Sequence, residues 1–186
     1  MYPIEILLEE HKLVERVITL IEKIQSKLKD EKEVPATVFW KLVDFLRSYA
    51  DVIHHSKEED VLFVQMQEHE EELSSEVWDQ IGILIEEHIE GLDLANEMHK
   101  AIREYNRGNQ KARKNILDAV TRYIEVMKPH FKNEEDTVFP AMVAVLSDEE
   151  KRKTKADFER FDNLVGGAEA HKRYEKIVGE LEKELA

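Results

Sequence analysis

Two motifs occur in this sequence and then recur in the same order, and this repeat limits the folds that the chain can adopt. The segment LLEEH at 7–11 returns as LIEEH at 84–88, and HHSKEEDVLF at 54–63 returns as HFKNEEDTVFP at 130–140. The first motif recurs at an offset of 77 residues and the second at an offset of 76. Because the order is kept and the offsets nearly agree, the sequence predicts a duplicated pair of elements related by a pseudo-twofold axis.

Hydrophobic residues around these motifs recur at steps of three and four, which is the spacing of one face of a helix. No stretch of the sequence alternates with period two, and glycine and proline number only 6 and 4 in 186 residues. The sequence therefore predicts an all-α protein. We expect an up-and-down four-helix bundle over residues 1–146 and an additional C-terminal helical segment over 147–186 that packs on the bundle.

Residues that begin or end helices divide the chain into six predicted helices. The predicted spans are 3–29, 35–71, 74–107, 110–139, 147–165 and 168–186. The fourth span contains Pro129, where the missing backbone N–H predicts a kink. Ser147 and Glu150 have the spacing of a capping box at the start of the fifth helix.

Composition excludes several classes of function. The formal net charge of −14 disfavours binding to nucleic acid or to anionic membranes. The absence of cysteine excludes disulfides, thiolate ligands and cysteine nucleophiles. No apolar run approaches the roughly 18 residues of a membrane span, and the N-terminal segment is acidic. We therefore expect a soluble, cytoplasmic protein whose partners include neither nucleic acid nor a membrane.

Each of the four predicted bundle helices carries one histidine within its hydrophobic stripe. These histidines are His11, His54, His88 and His130. In the second and fourth helices a glutamate follows four residues later on the same face, at Glu58 and Glu134. Burying two carboxylates in one core is prohibitive without compensation, and no lysine or arginine falls in these stripes at that level. A metal stabilises carboxylates and neutral imidazoles together, so these six residues predict a metal site in the bundle core.

Two other interpretations stay open at this point. A histidine on an apolar face is usually a hydrogen-bonded core residue, and the chain would then be a metal-independent helical interaction module. Alternatively the bundle holds zinc or manganese, because histidine and carboxylate ligands select weakly among divalent metals. His69 and His99 lie outside the repeated pattern, and we expect both at the surface.

The segments HHSKEED and HFKNEED, together with the upstream EEH elements, resemble the hemerythrin-like family, also called the HHE cation-binding family. The resemblance covers residues 4–140 and implies a four-helix bundle that holds two iron ions with a bridging oxo or hydroxo group. Carried over by motif, His11 and His54 would bind one iron, and His88 and His130 the other. The bridging carboxylates would be those of Glu58 and Glu134, with Glu135 as a less favoured choice.

The chain departs from the oxygen-carrying members, which have a second histidine one turn after the third-helix ligand, where this chain has Leu92. The expected residues and the bridging oxygen then fill about ten of roughly twelve positions on two six-coordinate irons. We hypothesise that His171 on the last helix folds back to supply the missing ligand, although a solvent-facing His171 is the alternative. His55 is a second candidate, but its counterpart in the repeat is Phe131, so we expect it to face another helix or solvent.

The resemblance implies reversible binding of dioxygen at an open iron position. Storage or sensing of dioxygen and scavenging of peroxide or nitric oxide are all compatible with such a site. The sequence favours a binding protein over an enzyme and does not separate these roles.

Overall fold

The computed structural model describes residues 2–109 and 111–186, and it confirms an all-α fold with no strand among them. The first helix, α1, covers Pro3–Lys29. The second, α2, runs without interruption over residues 36–67. Its segments are α-helical at Ala36–Asp44, π-helical at Phe45–His55 and Glu58–Phe63, and α-helical again at Val64–Gln67.

The second half of the chain contains four more helices. Helix α3 covers Ser75–Asn106. Helix α4 runs over residues 111–145 and consists of Lys111–Asn133, a π-helical turn at Glu134–Val138, and Phe139–Val145. Helices α5 and α6 cover Asp148–Leu164 and Gly167–Glu184. None of the helices within the described ranges is both long and apolar enough to cross a membrane.

Most predicted helix boundaries agree with the structure, and two need correction. Helix α2 ends at Gln67 rather than at position 71, and α4 continues to Val145 rather than ending at position 139. The α-helical segment continues through Pro129. The departure from α geometry comes later, at Glu134–Val138, where the hydrogen-bonded turn widens.

Consecutive helices of the bundle run in opposite directions. Arg113, near the start of α4, donates a hydrogen bond to the carbonyl of Leu28 near the end of α1, at 3.0 Å. Phe39, near the start of α2, packs edge-on against Tyr105 near the end of α3, with ring centroids 6.1 Å apart. The histidines therefore meet at one level, because they lie early in α1 and α3 and late in α2 and α4.

Two hydrophobic clusters enclose this level from both sides. Leu7 and Leu84 belong to the cluster on one side, and Val14 and Ala95 belong to the larger cluster on the other. Burial of apolar side chains above and below excludes water from the layer of polar groups between them. The stripe that predicted the core thus places the histidines between two dry layers.

The C-terminal helices pack on the bundle along α1 and α2. Phe158 of α5 is fully buried in one cluster, and Val178 and Leu181 of α6 are fully buried in the other. Ser147 and Glu150 form the predicted capping box at the start of α5. The chain reverses at Gly166, whose φ of 111° is a conformation that favours glycine. The division into domains at 146/147 stays a prediction.

Candidate metal centre

The four repeated histidines and the two glutamates converge in the polar layer between the hydrophobic clusters. Each of the six side chains is at most 2% exposed. The residues are His11, His54, Glu58, His88, His130 and Glu134. The duplicated motif therefore brings together six buried groups from four helices. Their assignment as metal ligands remains a prediction, which the geometry below supports.

The two glutamates lie between two pairs of histidines. Glu58 places Oε1 3.6 Å from Nε2 of His54, and its other oxygen, Oε2, 3.5 Å from Nε2 of His88. Glu134 places Oε2 3.3 Å from Nε2 of His11 and Oε1 3.2 Å from Nε2 of His130. Each carboxylate thus directs one oxygen to each pair, which is the arrangement of a bridging ligand.

Wide helical turns position both glutamates. Glu58 begins the second π-helical segment of α2, separated by two residues from the first segment, which ends at His55, and Glu134 begins the π-helical turn of α4. Such turns are rare and occur most often at functional sites. They alter which side chains share a face, and here His54, His55 and Glu58 are all buried.

Each of the four histidines also contacts a second carboxylate through its outer nitrogen, Nδ1. The four pairs are His11 with Glu135 at 2.8 Å, His54 with Glu10 at 3.0 Å, His88 with Glu59 at 2.7 Å, and His130 with Glu87 at 2.9 Å. In a neutral imidazole, an Nδ1–H donated to a carboxylate leaves the inward-directed Nε2 unprotonated and able to bind a metal. Metal-ligating histidines almost always have an outer partner of this kind.

These outer carboxylates explain why the motifs contain paired glutamates. The second Glu of each EEH element contacts the histidine of the HxxxEE motif in its own half, as Glu10 does with His54. The second Glu of each HxxxEE motif contacts the EEH histidine of the other half, as Glu59 does with His88. The sequence analysis did not predict this role of the second glutamate, although the repeated Glu-Glu pairs could have indicated it. Glu135 takes this outer position and is not one of the carboxylates between the histidine pairs.

Protons compensate the buried carboxylates when no metal does. Burial opposes protonation of His11, yet the carboxylates of Glu134 and Glu58 raise its pKa to about 11. Burial likewise opposes protonation of His88, but Glu134 and Glu59 raise its pKa to about 10. Although burial acts the other way, the charge of His130 holds the pKa of Glu134 well below its ordinary value. The site is thus built for positive charge at its centre.

A fifth histidine, His55, which was the second candidate for the missing ligand, also lies at the site and faces a neighbouring helix and not solvent. His55 is 4% exposed, and its ring stacks on that of His88, with centroids 3.9 Å apart and planes at 10°. One nitrogen from each of His55, His88 and His130 lies within 4.8 Å of the others. Burial, with the positive charges of neighbouring histidines, lowers the pKa of His55 well below its ordinary value. It is therefore neutral, which is the form that binds metals.

The prediction that His171 fills the position lost at Leu92 needs correction. His171 is 30% exposed and lies within 3.2 Å of Asp162 and 3.9 Å of Glu10, on the outer side of His54. Because Glu10 stands between them, the C-terminal helix does not bring His171 to the bridging glutamates. His55 of the second helix, and not His171, lies beside His88. His69 and His99 lie outside the site, as expected, and both are partly exposed.

The comparison with family models agrees with this geometry. Residues 2–142 match the model of the hemerythrin HHE cation binding domain, and a second match covers residues 79–185. The chain belongs to the hemerythrin HHE family. The resemblance inferred from the motifs is therefore confirmed, and the second match includes α3 and α4 again, in keeping with the duplicated helix pair.

Relatives of this HHE protein occur in mycobacteria. It is 23% identical over 181 residues to uncharacterized proteins of Mycobacterium bovis and of two strains of Mycobacterium tuberculosis. The alignment covers 97% of this chain and 69% of each relative. No solved structure shows a significant match.

The residues present fit the cations that the HHE family binds. Several buried nitrogen and oxygen atoms at the centre of the site have no hydrogen-bond partner within the described part of the chain. These atoms are Nε2 of His11 and His54, both ring nitrogens of His55, and both carboxylate oxygens of Glu58 and Glu134. Buried polar atoms are normally paired, so this concentration indicates an additional ligand. Imidazole nitrogens and carboxylate oxygens together form a donor set for iron, zinc or manganese.

Proposed function

We propose that this chain is a di-iron binding protein of the hemerythrin type, which binds dioxygen, peroxide or nitric oxide for storage, sensing or scavenging. The main support for this proposal is that the two sides of the Glu58 and Glu134 carboxylates have unequal numbers of imidazoles. His11 and His54 lie on one side, whereas His55, His88 and His130 lie on the other.

This inequality would leave an open position on one metal only. Glu58 and Glu134 would each provide one oxygen to the metal on the His11 side and the other oxygen to the metal on the His88 side, and a bridging oxygen would be shared. Three imidazoles would complete the shell on the His88 side, whereas two imidazoles on the His11 side would leave one position for an outside ligand. When bound, a pair of ferrous ions supplies the electrons that reversible dioxygen binding requires.

Aromatic side chains shield the side with fewer imidazoles. Phe131 packs edge-on against His11 with centroids 4.9 Å apart, and Phe139 stacks on the same ring at 5.4 Å. Their rings present apolar surface where a third imidazole would otherwise stand. A small uncharged ligand suits such surroundings, because it gives up little hydration on entering them.

A surface cleft between α1 and α4 offers a route to this side. It has a volume of about 510 Å³ and is lined by Phe131 and Glu135, both of which touch His11. Ile18 and Thr19 of α1 form the opposite wall. The Phe131 ring lies between the cleft and His11, so a ligand that enters through this cleft would have to pass it.

Two features favour a binding protein over an enzyme. The six central side chains are at most 2% exposed, which favours a diatomic or similarly small molecule as the ligand. The strongly negative charge of the chain disfavours nucleic acid and anionic membranes as partners. We accordingly propose a cytoplasmic role based on a small ligand.

Metal analysis of protein produced with added iron tests this proposal. We expect two irons per chain and an optical spectrum that changes on reduction and again on exposure to air. The matched control is His99→Ala, because His99 lies outside the site, and it should leave both unchanged. Zinc or manganese in place of iron would overturn the oxygen-binding function, and a chain without metal would favour a metal-independent interaction module.

A further inference from the structure

A buried lysine stands next to the metal centre, which the sequence pattern did not indicate. Lys57 lies between His54 and Glu58 in the sequence and has no exposed surface. Its ammonium group contacts the carboxylate of Glu10 and lies 2.7 Å from Oδ1 of Asp162. A buried charge needs compensation of this kind, so the three groups form one ion-pair network.

This network connects the C-terminal helices to one histidine of the centre. Glu10 accepts a hydrogen bond from Nδ1 of His54 through Oε2 and contacts Lys57 through Oε1. Asp162 of α5 contacts Lys57 and also lies 3.2 Å from Nε2 of His171 on α6. His171 in turn approaches the hydroxyl of Tyr49 at 3.4 Å. Four helices thus contribute to the surroundings of His54.

The other three outer carboxylates have no such partner. Glu59, Glu87 and Glu135 have side chains that are 38%, 20% and 39% exposed, and none forms an ion pair with lysine or arginine within the described residues. The position equivalent to Lys57 in the second half is Asn133. The network is therefore confined to the side of the centre that has fewer imidazoles.

We propose that Lys57 raises the reduction potential of the metal held by His11 and His54. It does so by weakening the hydrogen bond that Nδ1–H of His54 donates to Glu10. A free carboxylate draws that proton away and makes the imidazole a stronger donor, which favours the ferric ion. The ammonium of Lys57 opposes this effect and favours the ferrous ion. The inference rests on the proposed di-iron function and adds positioning residues to it.

Asp162 and His171 determine how strongly the ammonium group of Lys57 interacts with Glu10. Asp162 competes with Glu10 for the ammonium group, and His171 keeps Asp162 in place between α5 and α6. The C-terminal helices therefore act on the centre through Lys57 without supplying a ligand. His171 therefore positions Asp162, whereas its sequence motif predicted a metal ligand.

Two single variants test the proposal, because they should shift the reduction potential of the iron-loaded protein in opposite directions. Lys57→Met should lower the midpoint potential, and Asp162→Asn, which leaves Lys57 fully available to Glu10, should raise it. The double variant should have the potential of Lys57→Met, because Asp162 acts on Glu10 only through Lys57, and Lys57→Arg should lie close to the wild type. We expect each single change to shift the equilibrium constant for oxidation by about tenfold, at the lower end of the ~10–100-fold range of outer-ligand effects.

A control separates tuning from loss of helix packing. Arg16 of α1 binds Glu175 and Glu182 of α6 at the surface, at 2.6 and 2.9 Å, without touching Glu10. Arg16→Ala should weaken the same packing and leave the potential unchanged. Iron content and circular dichroism are measured on every variant, and Asp162→Asn keeps the test valid if Lys57→Met fails to fold.

The outcomes distinguish this inference from the function on which it rests. Variants that hold two irons but share the wild-type potential would overturn the tuning role and leave the di-iron function intact. The same conclusion follows if Lys57→Met and Asp162→Asn shift the potential in the same direction. A wild-type chain that holds no iron would overturn both.

Discussion

His55 and Phe131 occupy equivalent positions in the two halves of the bundle, and each packs on the EEH histidine of the other half. The His55 ring stacks on His88 with centroids 3.9 Å apart, whereas the Phe131 ring packs edge-on against His11 at 4.9 Å. The two halves are thus alike in geometry and different in chemistry. An imidazole on one side and a phenyl ring on the other distinguish two otherwise similar metal positions.

Phe131→His tests whether this difference creates the open position. A third imidazole beside His11 should complete the shell on that side, so the variant is expected to keep two irons and lose the spectral response to air. Iron content and the optical spectrum after reduction and re-exposure provide the measurement. An unchanged response to air would show that the open position lies elsewhere.

His55→Phe is the reciprocal change and should weaken the metal position formed by His88 and His130. The loss of one imidazole leaves that position with fewer donors, and we expect at least ~10-fold weaker metal affinity there. Competition with a chelator, followed by metal analysis, measures the effect. His69→Ala is the matched control, since His69 pairs with Glu72 and Glu150 away from the centre. Equal affinity in both variants would contradict the assignment of His55.

His171→Ala should retain two irons per chain, because His171 lies beyond Glu10 and does not reach the bridging glutamates. This expectation is the opposite of the one drawn from the sequence. Metal analysis of the variant, with Lys172→Ala as a neighbouring control on the same helix, decides between them. Loss of one iron from the His171 variant alone would restore the sequence hypothesis.

The stability of the metal-free protein should fall as the pH rises above neutrality. The folded-state pKa values of His11 and His88, about 11 and 10, lie above the ordinary value of 6.5. A histidine whose folded-state pKa is raised stabilises the fold when it is protonated. This contribution is fully present below about pH 6.5 and is lost as the pH rises through 10–11. Denaturant unfolding from pH 6 to 10 provides the measurement, and a metal-free protein that gains stability over this range would contradict it.

Metal binding should have the opposite dependence on pH. The cations must displace the protons that His11 and His88 hold in the metal-free protein, so binding releases protons and strengthens as the pH rises. Calorimetric titration in two buffers of different ionisation enthalpy counts the released protons. Binding without proton release would mean that these imidazoles are already neutral.

Phe158→Ala should destabilise the fold without removing metal from the centre. The side chain is fully buried between α5 and the bundle, and truncation of a buried phenylalanine costs about 3–5 kcal/mol. Chemical denaturation of the iron-loaded protein measures the loss, and metal analysis shows whether two irons remain. A simultaneous loss of iron would show that the C-terminal helices hold the centre together as well as tune it.

The fold class and the six central residues could be predicted from the sequence because both depend on local periodicity. A histidine in a stripe of steps three and four must point the same way as its apolar neighbours, as His11 does between Leu7 and Val14. The duplication then related the two halves without any knowledge of packing. The bundle and the family are confirmed, and six of the seven predicted ligands meet in space, His171 being the exception.

The partners of those residues could not be predicted, because they depend on side chains from different helices. The repeat, in which Phe131 is the counterpart of His55, did not place His55 at the centre, whereas the π-helical turns of α2 bury it beside His88. Likewise, the hydrophobic stripes predicted no lysine at this level of the core, and this was wrong, because Glu10 and Asp162 compensate the buried charge of Lys57. Departures from regular helix geometry and long-range ion pairs leave little trace in local periodicity.

The periodicity and the repeats of this sequence were enough to predict a bundle of duplicated helix pairs with histidines and glutamates at one level of its core. The identity of the fifth histidine and the surroundings of the other four became visible only in the packed bundle. The reason is that a stripe fixes the direction of a side chain relative to its own helix. The distance between groups on different helices is fixed by packing, and it is this distance that decides whether a nitrogen can share a metal.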